Sequence, residues 1–104
     1  MKKVLWIVSF LSGTANAAEI KMKSLTYDPP QLEIKQGESV TWKNTAYTEH
    51  SATSENTPAV FDTGMIQPGK ESKPVRFDKP GVYKFHCALH GSTMTGTITV
   101  KEKK

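Results

Sequence analysis

The fold and the chemistry of this chain depend on residues 83–94, which read Tyr83-Lys84-Phe85-His86-Cys87-Ala88-Leu89-His90-Gly91-Ser92-Thr93-Met94. Eight of these residues, 87–94, offer a thiolate at Cys87, an imidazole at His90 and a thioether at Met94. A plane of two neutral imidazoles and a thiolate, with a weak axial thioether, selects copper and suits electron transfer, whereas calcium and magnesium prefer oxygen ligands. The stretch therefore predicts a copper site that still needs a second imidazole.

The second imidazole has to come from one of the other two histidines. His86 directly precedes Cys87 on a predicted strand, and neighbouring side chains of a strand point to opposite faces. His50 is therefore the natural candidate. Because His50 and His90 lie forty residues apart, only a fold that brings their loops to one end of neighbouring strands can join them.

Period-two alternation of apolar and polar residues predicts an all-β domain. The apolar positions of this pattern are Ile20 and Met22, Leu32 and Ile34, Val40 and Trp42, Tyr83, Phe85 and Cys87, and Ile98 and Val100. Turn residues such as those at 28–30, 36–38, 68–69 and 79–81 separate the strands. We expect a Greek-key β-sandwich or barrel of seven to eight strands. Residues 45–66 show no clear pattern, although a strand through His50 and another near Phe61 would fit.

The order of several motifs resembles the cupredoxins, the small type-1 copper proteins, and particularly their plastocyanin and amicyanin branch. The motifs are Val40-Thr41-Trp42-Lys43-Asn44, His50, Phe61-Asp62-Thr63-Gly64, Pro68-Gly69, Phe77, Pro80-Gly81-Val82-Tyr83, Cys87-x-x-His90 and Met94-x-Gly96-Thr97. The resemblance implies one type-1 copper ion with His50, Cys87 and His90 in its plane and Met94 as the axial ligand. The sequence shows no nucleophile with a positioned base and no general acid pair, so we do not expect an enzyme.

Two positions depart from the pattern of that family. The family usually has Asn after its first histidine ligand, where it ties the ligand loops together, whereas this chain has Ser51, with a single hydroxyl. Three residues separate His90 from Met94, where the amicyanin type has two, the plastocyanin type four and azurin-like relatives three. Contacts around the ligands tune copper, so the reduction potential does not follow from the resemblance.

The amino terminus predicts a cleaved secretory signal peptide over residues 1–17, followed by one cupredoxin domain over residues 18–104. Lys2 and Lys3 precede the apolar run 4–11, and Ala15-Asn16-Ala17 forms a small-residue cleavage site. The run is far shorter than the roughly 20 residues of a membrane span. We therefore expect a periplasmic or secreted protein without a membrane span, and a retained amphipathic anchor is the alternative.

The single cysteine of the chain cannot form an internal disulfide. A lone thiol in an oxidising compartment needs a partner cysteine or a metal, and the ligand-type residues around Cys87 favour a metal. A buried inert thiol is the alternative. Zinc is the competing metal, although zinc sites do not favour methionine. Met94 could instead be a core residue, and Met65 an alternative thioether.

The function predicted from these features is a Cu(II)/Cu(I) electron carrier that contacts redox partners transiently. The alternatives are a periplasmic copper-binding protein for tolerance or delivery and a cupredoxin-shaped domain without metal. The formal charge of +4 includes two lysines of the leader and would suit an acidic partner only weakly. The sequence contains no basic patch with interleaved aromatic residues, so we do not expect nucleic acid binding. We expect a monomer, with His86 either an ordinary surface residue or part of an electron path, as the family resemblance implies.

Overall fold

The computed structural model describes residues 17–56 and 58–103, and the regular elements in these ranges are β-strands. The strands are β1 Ala17–Met22, β2 Tyr27–Asp28, β3 Gln31–Lys35, β4 Ser39–Asn44, β5 Thr53–Ser54, β6 Val75–Arg76, β7 Gly81–Cys87 and β8 Gly91–Lys101. The predicted all-β class and strand number are confirmed. In the part of the chain that the structure describes, no helix is long and apolar enough to cross a membrane. Apart from Ala17, the predicted signal peptide lies outside the described residues.

The described strands form two sheets of four strands each. One sheet has the order β2-β1-β4-β6 and the other the order β3-β8-β7-β5. β1 runs parallel to β4, and β3 runs parallel to β8, while the remaining pairs are antiparallel. Successive strands from β2 to β7 alternate between the sheets, so the chain repeatedly crosses from one layer to the other. The predicted β-sandwich is confirmed.

The core lies between the sheets and is built from the alternating apolar positions. Ile20, Val40, Trp42, Phe85 and Ile98 are fully buried, as the period-two pattern predicts. Burial of one such side chain contributes roughly 1.5–3 kcal/mol to folding. β3 follows this pattern only in part, because Leu32 is half-buried whereas Ile34, the next residue on the same face, is buried.

Aromatic rings join the two sheets directly beneath the loops that carry the predicted ligands. Phe85 of β7 lies edge-on to Tyr27 and to Trp42, with ring centroids 4.7 and 5.5 Å apart. Trp42 also stacks on Phe61 at 5.3 Å. Edge-to-face and offset pairs at these distances are the favourable geometries for aromatic side chains. The cluster therefore supports β7, which ends at the predicted thiolate ligand.

The region 45–66 contains less strand than we expected. His50 forms only an isolated antiparallel bridge with Ile66, and Asp62 forms another with Thr53. The predicted strands through His50 and near Phe61 are therefore reduced to single bridges. Much of the backbone here is bound by side chains, such as Ser54, whose hydroxyl accepts the Val60 N–H at 2.8 Å. Such local bonds compete with a continuous strand ladder.

Candidate metal centre

Three predicted ligands converge at one end of the sandwich. The metal-binding donor atoms of His50, Cys87 and His90 all lie within 4.8 Å of one another. Cys87 and His50 are fully buried, whereas His90 is partly exposed. Within residues 17–56 and 58–103, this is the group of three or more His, Cys, Asp or Glu side chains placed closely enough to hold a metal ion.

Cys87 and His90 are brought together by a tight turn between β7 and β8. Cys87 is the last residue of β7, and β8 begins at Gly91. The His90 N–H donates to the Cys87 carbonyl at 3.2 Å, and the Thr93 N–H donates to the His90 carbonyl at 2.9 Å. Gly91 has a φ of 41°, a left-handed conformation that side chains disfavour. The turn therefore presents both ligands within four residues of chain.

Met94 lies within β8, beyond the turn that joins this strand to β7. The ladder between β7 and β8 shifts register after His86, which pairs with Thr95. The next residue, Cys87, pairs with Gly91 and not with Met94. Residues 92–94 are therefore an insertion on β8 relative to β7. Bulges of this kind change the direction of a side chain and are common near functional sites. Met94 is fully buried, as either an axial ligand or a core residue would be.

His50 is fixed by its backbone and by a buried amide. The His50 N–H donates to the Ile66 carbonyl at 3.2 Å, and the Ile66 N–H donates back at 2.7 Å. The fully buried Asn44 donates to the carbonyls of Thr48 and Ile66, both at 2.8 Å. Asn44 thus holds together the two segments that flank His50. Sequence reasoning missed this role, although a polar residue following Val40 and Trp42 on the inward face of β4 was a usable signal.

The His50 ring is oriented for metal binding through Nδ1. Nδ1 lies 3.6 Å from Sγ of Cys87, and Nε2 lies 3.5 Å from the Thr48 hydroxyl. This arrangement favours the tautomer whose proton is on Nε2, facing the hydroxyl oxygen. Burial lowers the pKa of His50, and the nearby His90 ring lowers it further. Both effects favour the neutral ring, which is the state that a metal requires.

Ser51 connects the loop of His50 with the loop of Cys87 despite its short side chain. Its backbone N–H donates to Sγ of Cys87 at 3.4 Å, and its hydroxyl accepts the Ala88 N–H at 2.9 Å. The hydroxyl of Tyr27 donates to the Ser51 carbonyl. Ser51 therefore still links the two ligand loops, although it stands where the family usually has Asn.

The donor set fits a copper ion. One cysteine sulfur and two imidazoles already lie close together, with Cys87 and His50 buried, and no carboxylate belongs to the cluster within the described part of the chain. Soft and borderline donors of this kind suit copper and not calcium or magnesium. His86 does not join them, because its Nδ1 faces Glu55 Oε2 at 3.5 Å on the outer side of β7.

Comparison with known proteins identifies the family. The family model described as copper binding proteins, plastocyanin/azurin family, matches residues 14–101. The chain belongs to this family of cupredoxins. The predicted resemblance and the copper cofactor are confirmed, and this cupredoxin is an electron-transfer protein rather than an enzyme.

Named relatives agree with that assignment. The cupredoxin is 36% identical to a chloroplastic plastocyanin of Silene latifolia subsp. alba, across 86% of this chain and 64% of the relative. It is 29% identical to amicyanin-alpha of Methylorubrum extorquens, across 84% of this chain and 74% of the relative. Among solved structures, a novel purple cupredoxin from Nitrosopumilus maritimus superposes with a TM-score of 0.72 at 27% identity, covering 81% of this chain and 99% of that one.

Proposed function

We propose that this cupredoxin is a periplasmic or secreted type-1 copper electron carrier. His50, Cys87 and His90 would form the copper plane, and Met94 would be the axial ligand. The observation that carries the proposal is the convergence of three donor atoms within 4.8 Å. The burial of Met94 beside the Cys87 end of β7 supports its inclusion.

Copper at this site would supply a one-electron couple between Cu(II) and Cu(I). The protein's contribution is to hold the ligands in nearly the same positions in both oxidation states. The Ile66 bridge and Asn44 restrain His50, while the Ser51 N–H restrains the sulfur of Cys87. Because these contacts are built from backbone and buried side chains, electron transfer would need little rearrangement.

The exposed edge of His90 would be the side from which a redox partner is met. His90 is partly exposed, and the adjacent Leu89 side chain is 57% exposed. An apolar residue beside an accessible ligand suits a transient contact that excludes water without binding tightly. The weak positive charge of the chain would favour an acidic partner, and the protein would act as a monomer.

The location rests on the predicted leader. Residues 1–17 carry a positive start, an apolar run and a small-residue cleavage site. Expression of the full chain in a bacterial host, followed by intact mass measurement of the exported protein, tests this directly. A mature chain beginning at Ala18 would support export, and an uncleaved cytoplasmic protein would contradict it.

The decisive experiment is spectroscopy of the purified protein after addition of Cu(II). We expect an intense thiolate-to-copper absorption band and narrow hyperfine splitting in the paramagnetic resonance spectrum. Cys87→Ser should abolish both, because a hydroxyl replaces the thiolate. His86→Gln is the matched control, since this neighbour faces away from the cluster, and it should keep both signals. A pale tetragonal copper signal that survives Cys87→Ser would reject the proposal.

Voltammetry of the same samples separates an electron carrier from a copper-delivery protein. A carrier shows reversible one-electron cycling with copper retained in both states. A delivery protein releases the ion in one of them, and such release during cycling would favour that alternative.

A further inference from the structure

A chain of hydroxyl groups leads from the protein surface to Ser51. The Thr53 hydroxyl donates to Oδ1 of Asp62 at 3.0 Å, and the Ser51 hydroxyl lies 3.0 Å from the Thr53 oxygen. The Ser51 oxygen in turn accepts the Ala88 N–H at 2.9 Å. Asp62 is exposed, Thr53 is partly buried and Ser51 is buried. The chain therefore connects solvent-facing charge with the turn that follows Cys87.

The direction of every hydrogen bond in this chain follows from its outer end. A carboxylate only accepts, so the single hydroxyl proton of Thr53 is committed to Asp62. The hydroxyl proton between Ser51 and Thr53 must then belong to Ser51. The oxygen of Ser51 consequently directs a lone pair at the Ala88 N–H. Hydrogen bonds that run in one direction polarise and strengthen one another.

Asp62 is itself held in place. The same Oδ1 that accepts the Thr53 hydroxyl accepts the Gly64 N–H at 2.9 Å. Thr53 and Asp62 also form an isolated β-bridge. The outer end of the hydroxyl chain is thus anchored to backbone and is not a loose surface contact.

We propose that Thr53 is a positioning residue for the copper site, a role that rests on the proposed function. By accepting the hydrogen bond of the Ser51 hydroxyl, Thr53 fixes a group that would otherwise rotate about its Cβ–Oγ bond. Ser51 is then bound to Ala88 through its side chain and to Sγ of Cys87 through its backbone N–H, at 2.9 and 3.4 Å. Thr53 thereby sets the hydrogen bond to the sulfur without touching the metal site.

The variant that tests this is Thr53→Val, which removes the hydroxyl and keeps the shape of the side chain. Thr53→Ser restores a hydroxyl and should restore wild-type behaviour. Thr63→Val is the matched control from the same region. The Thr63 hydroxyl accepts the Ala52 N–H and donates to the Gly64 carbonyl, at 2.9 and 2.7 Å, without contacting Ser51.

The first readout uses the metal-free protein, in which amide exchange at Ala88 is followed by nuclear magnetic resonance. Thr53→Val should speed this exchange by about two- to tenfold, the factor that corresponds to weakening one ordinary hydrogen bond. Thr53→Ser should leave it at the wild-type rate. Thr63→Val should change exchange at Ala52 and not at Ala88.

The second readout is the reduction potential of the copper-loaded protein. An N–H donor to Sγ withdraws negative charge from the thiolate and so favours the reduced state, which carries one more electron. Thr53→Val loosens Ser51 and should lower the potential. Thr53→Ser should keep the wild-type potential, and Thr63→Val should shift it less than Thr53→Val does.

Unchanged exchange at Ala88 and an unchanged potential in Thr53→Val would overturn the proposal. Equal shifts in Thr53→Val and Thr63→Val would overturn it as well, since they would indicate general loosening of the loop. A wild-type protein without a thiolate-to-copper band would instead reject the proposed function and, with it, the effect on the potential. Exchange at Ala88 would still decide whether Thr53 positions Ser51.

Discussion

The hydroxyl of Tyr27 donates a buried hydrogen bond to the carbonyl of Ser51, which joins the two sheets immediately beneath the metal centre. Tyr27 belongs to β2 of one sheet, and Ser51 leads into β5 of the other. Burial raises the pKa of Tyr27, and a charge on Cys87 raises it further. The phenol therefore remains protonated and continues to donate. Its ring packs on Phe85, so the same residue supports the core and a ligand loop.

We predict that Tyr27→Phe lowers the free energy of unfolding by about 1–3 kcal/mol, because the buried Ser51 carbonyl loses its partner. Urea denaturation of the metal-free protein measures this. Tyr83→Phe is the control, since the Tyr83 hydroxyl donates to the Lys79 carbonyl at an exposed position. Water can replace that bond, so the loss should stay below about 1 kcal/mol. Equal losses in the two variants would contradict the structural role of the Tyr27 bond.

Gly96 is required by the close approach of Phe85 from the neighbouring strand. The two residues are register partners, and a Cβ at residue 96 would lie 2.8 Å from Cε2 of Phe85 and nearer still to Cζ. Gly96→Ala should therefore cost about 1–3 kcal/mol of stability through overpacking. Thr95→Ala, at the exposed neighbouring position, should cost less than about 1 kcal/mol. Thermal unfolding compares them, and a Gly96→Ala protein of wild-type stability would show that Phe85 moves aside freely.

The metal-free protein should lose stability as the pH falls below the ordinary histidine range. The folded pKa of His50 is lowered by burial and by His90, so the unfolded chain binds more protons than the folded one between the lowered pKa and about 6.5. Stability then rises with pH in this window and is lost on acidification. Urea midpoints from pH 7.5 to 5.5 should fall in the wild type. In His50→Gln the urea midpoint should fall less steeply between these pH values, because residue 50 can no longer be protonated. An unchanged pH dependence would show that His50 does not cause the loss of stability.

Met94→Leu should change the copper site more than it changes the fold. The substitution conserves volume, so stability should fall by less than about 1.5 kcal/mol. Loss of a thioether donor that favours Cu(II) should raise the reduction potential and alter the visible spectrum. Met65→Leu is the control, because this methionine is 39% exposed and lies outside β8. A spectrum that responds to Met65→Leu and not to Met94→Leu would show that Met65, and not Met94, supplies the thioether.

Local pattern predicted most of the architecture. Alternation placed Ile20, Val40, Trp42 and Ile98 inside, and all four are fully buried. This works because side chains of a strand alternate strictly between a buried and an exposed face. The same rule separated Cys87 from His86, which faces Glu55 on the outer side. The spacing of Cys87, His90 and Met94 also made a soft metal site recognisable.

Long-range relationships were decided by the tertiary structure alone. The meeting of His50 with Cys87 depends on a bridge to Ile66 and on Asn44, and no local pattern encodes a contact between loops that are distant in sequence. The bulge that places Met94 on β8 arises because the turn closes at Gly91. The sequence by itself therefore determined the all-β class, the buried faces of the strands and the soft chemical character of the metal-binding side chains. The packing of two sheets decided which loops meet, because contacts between them depend on strand order and register, which a single strand's pattern does not contain.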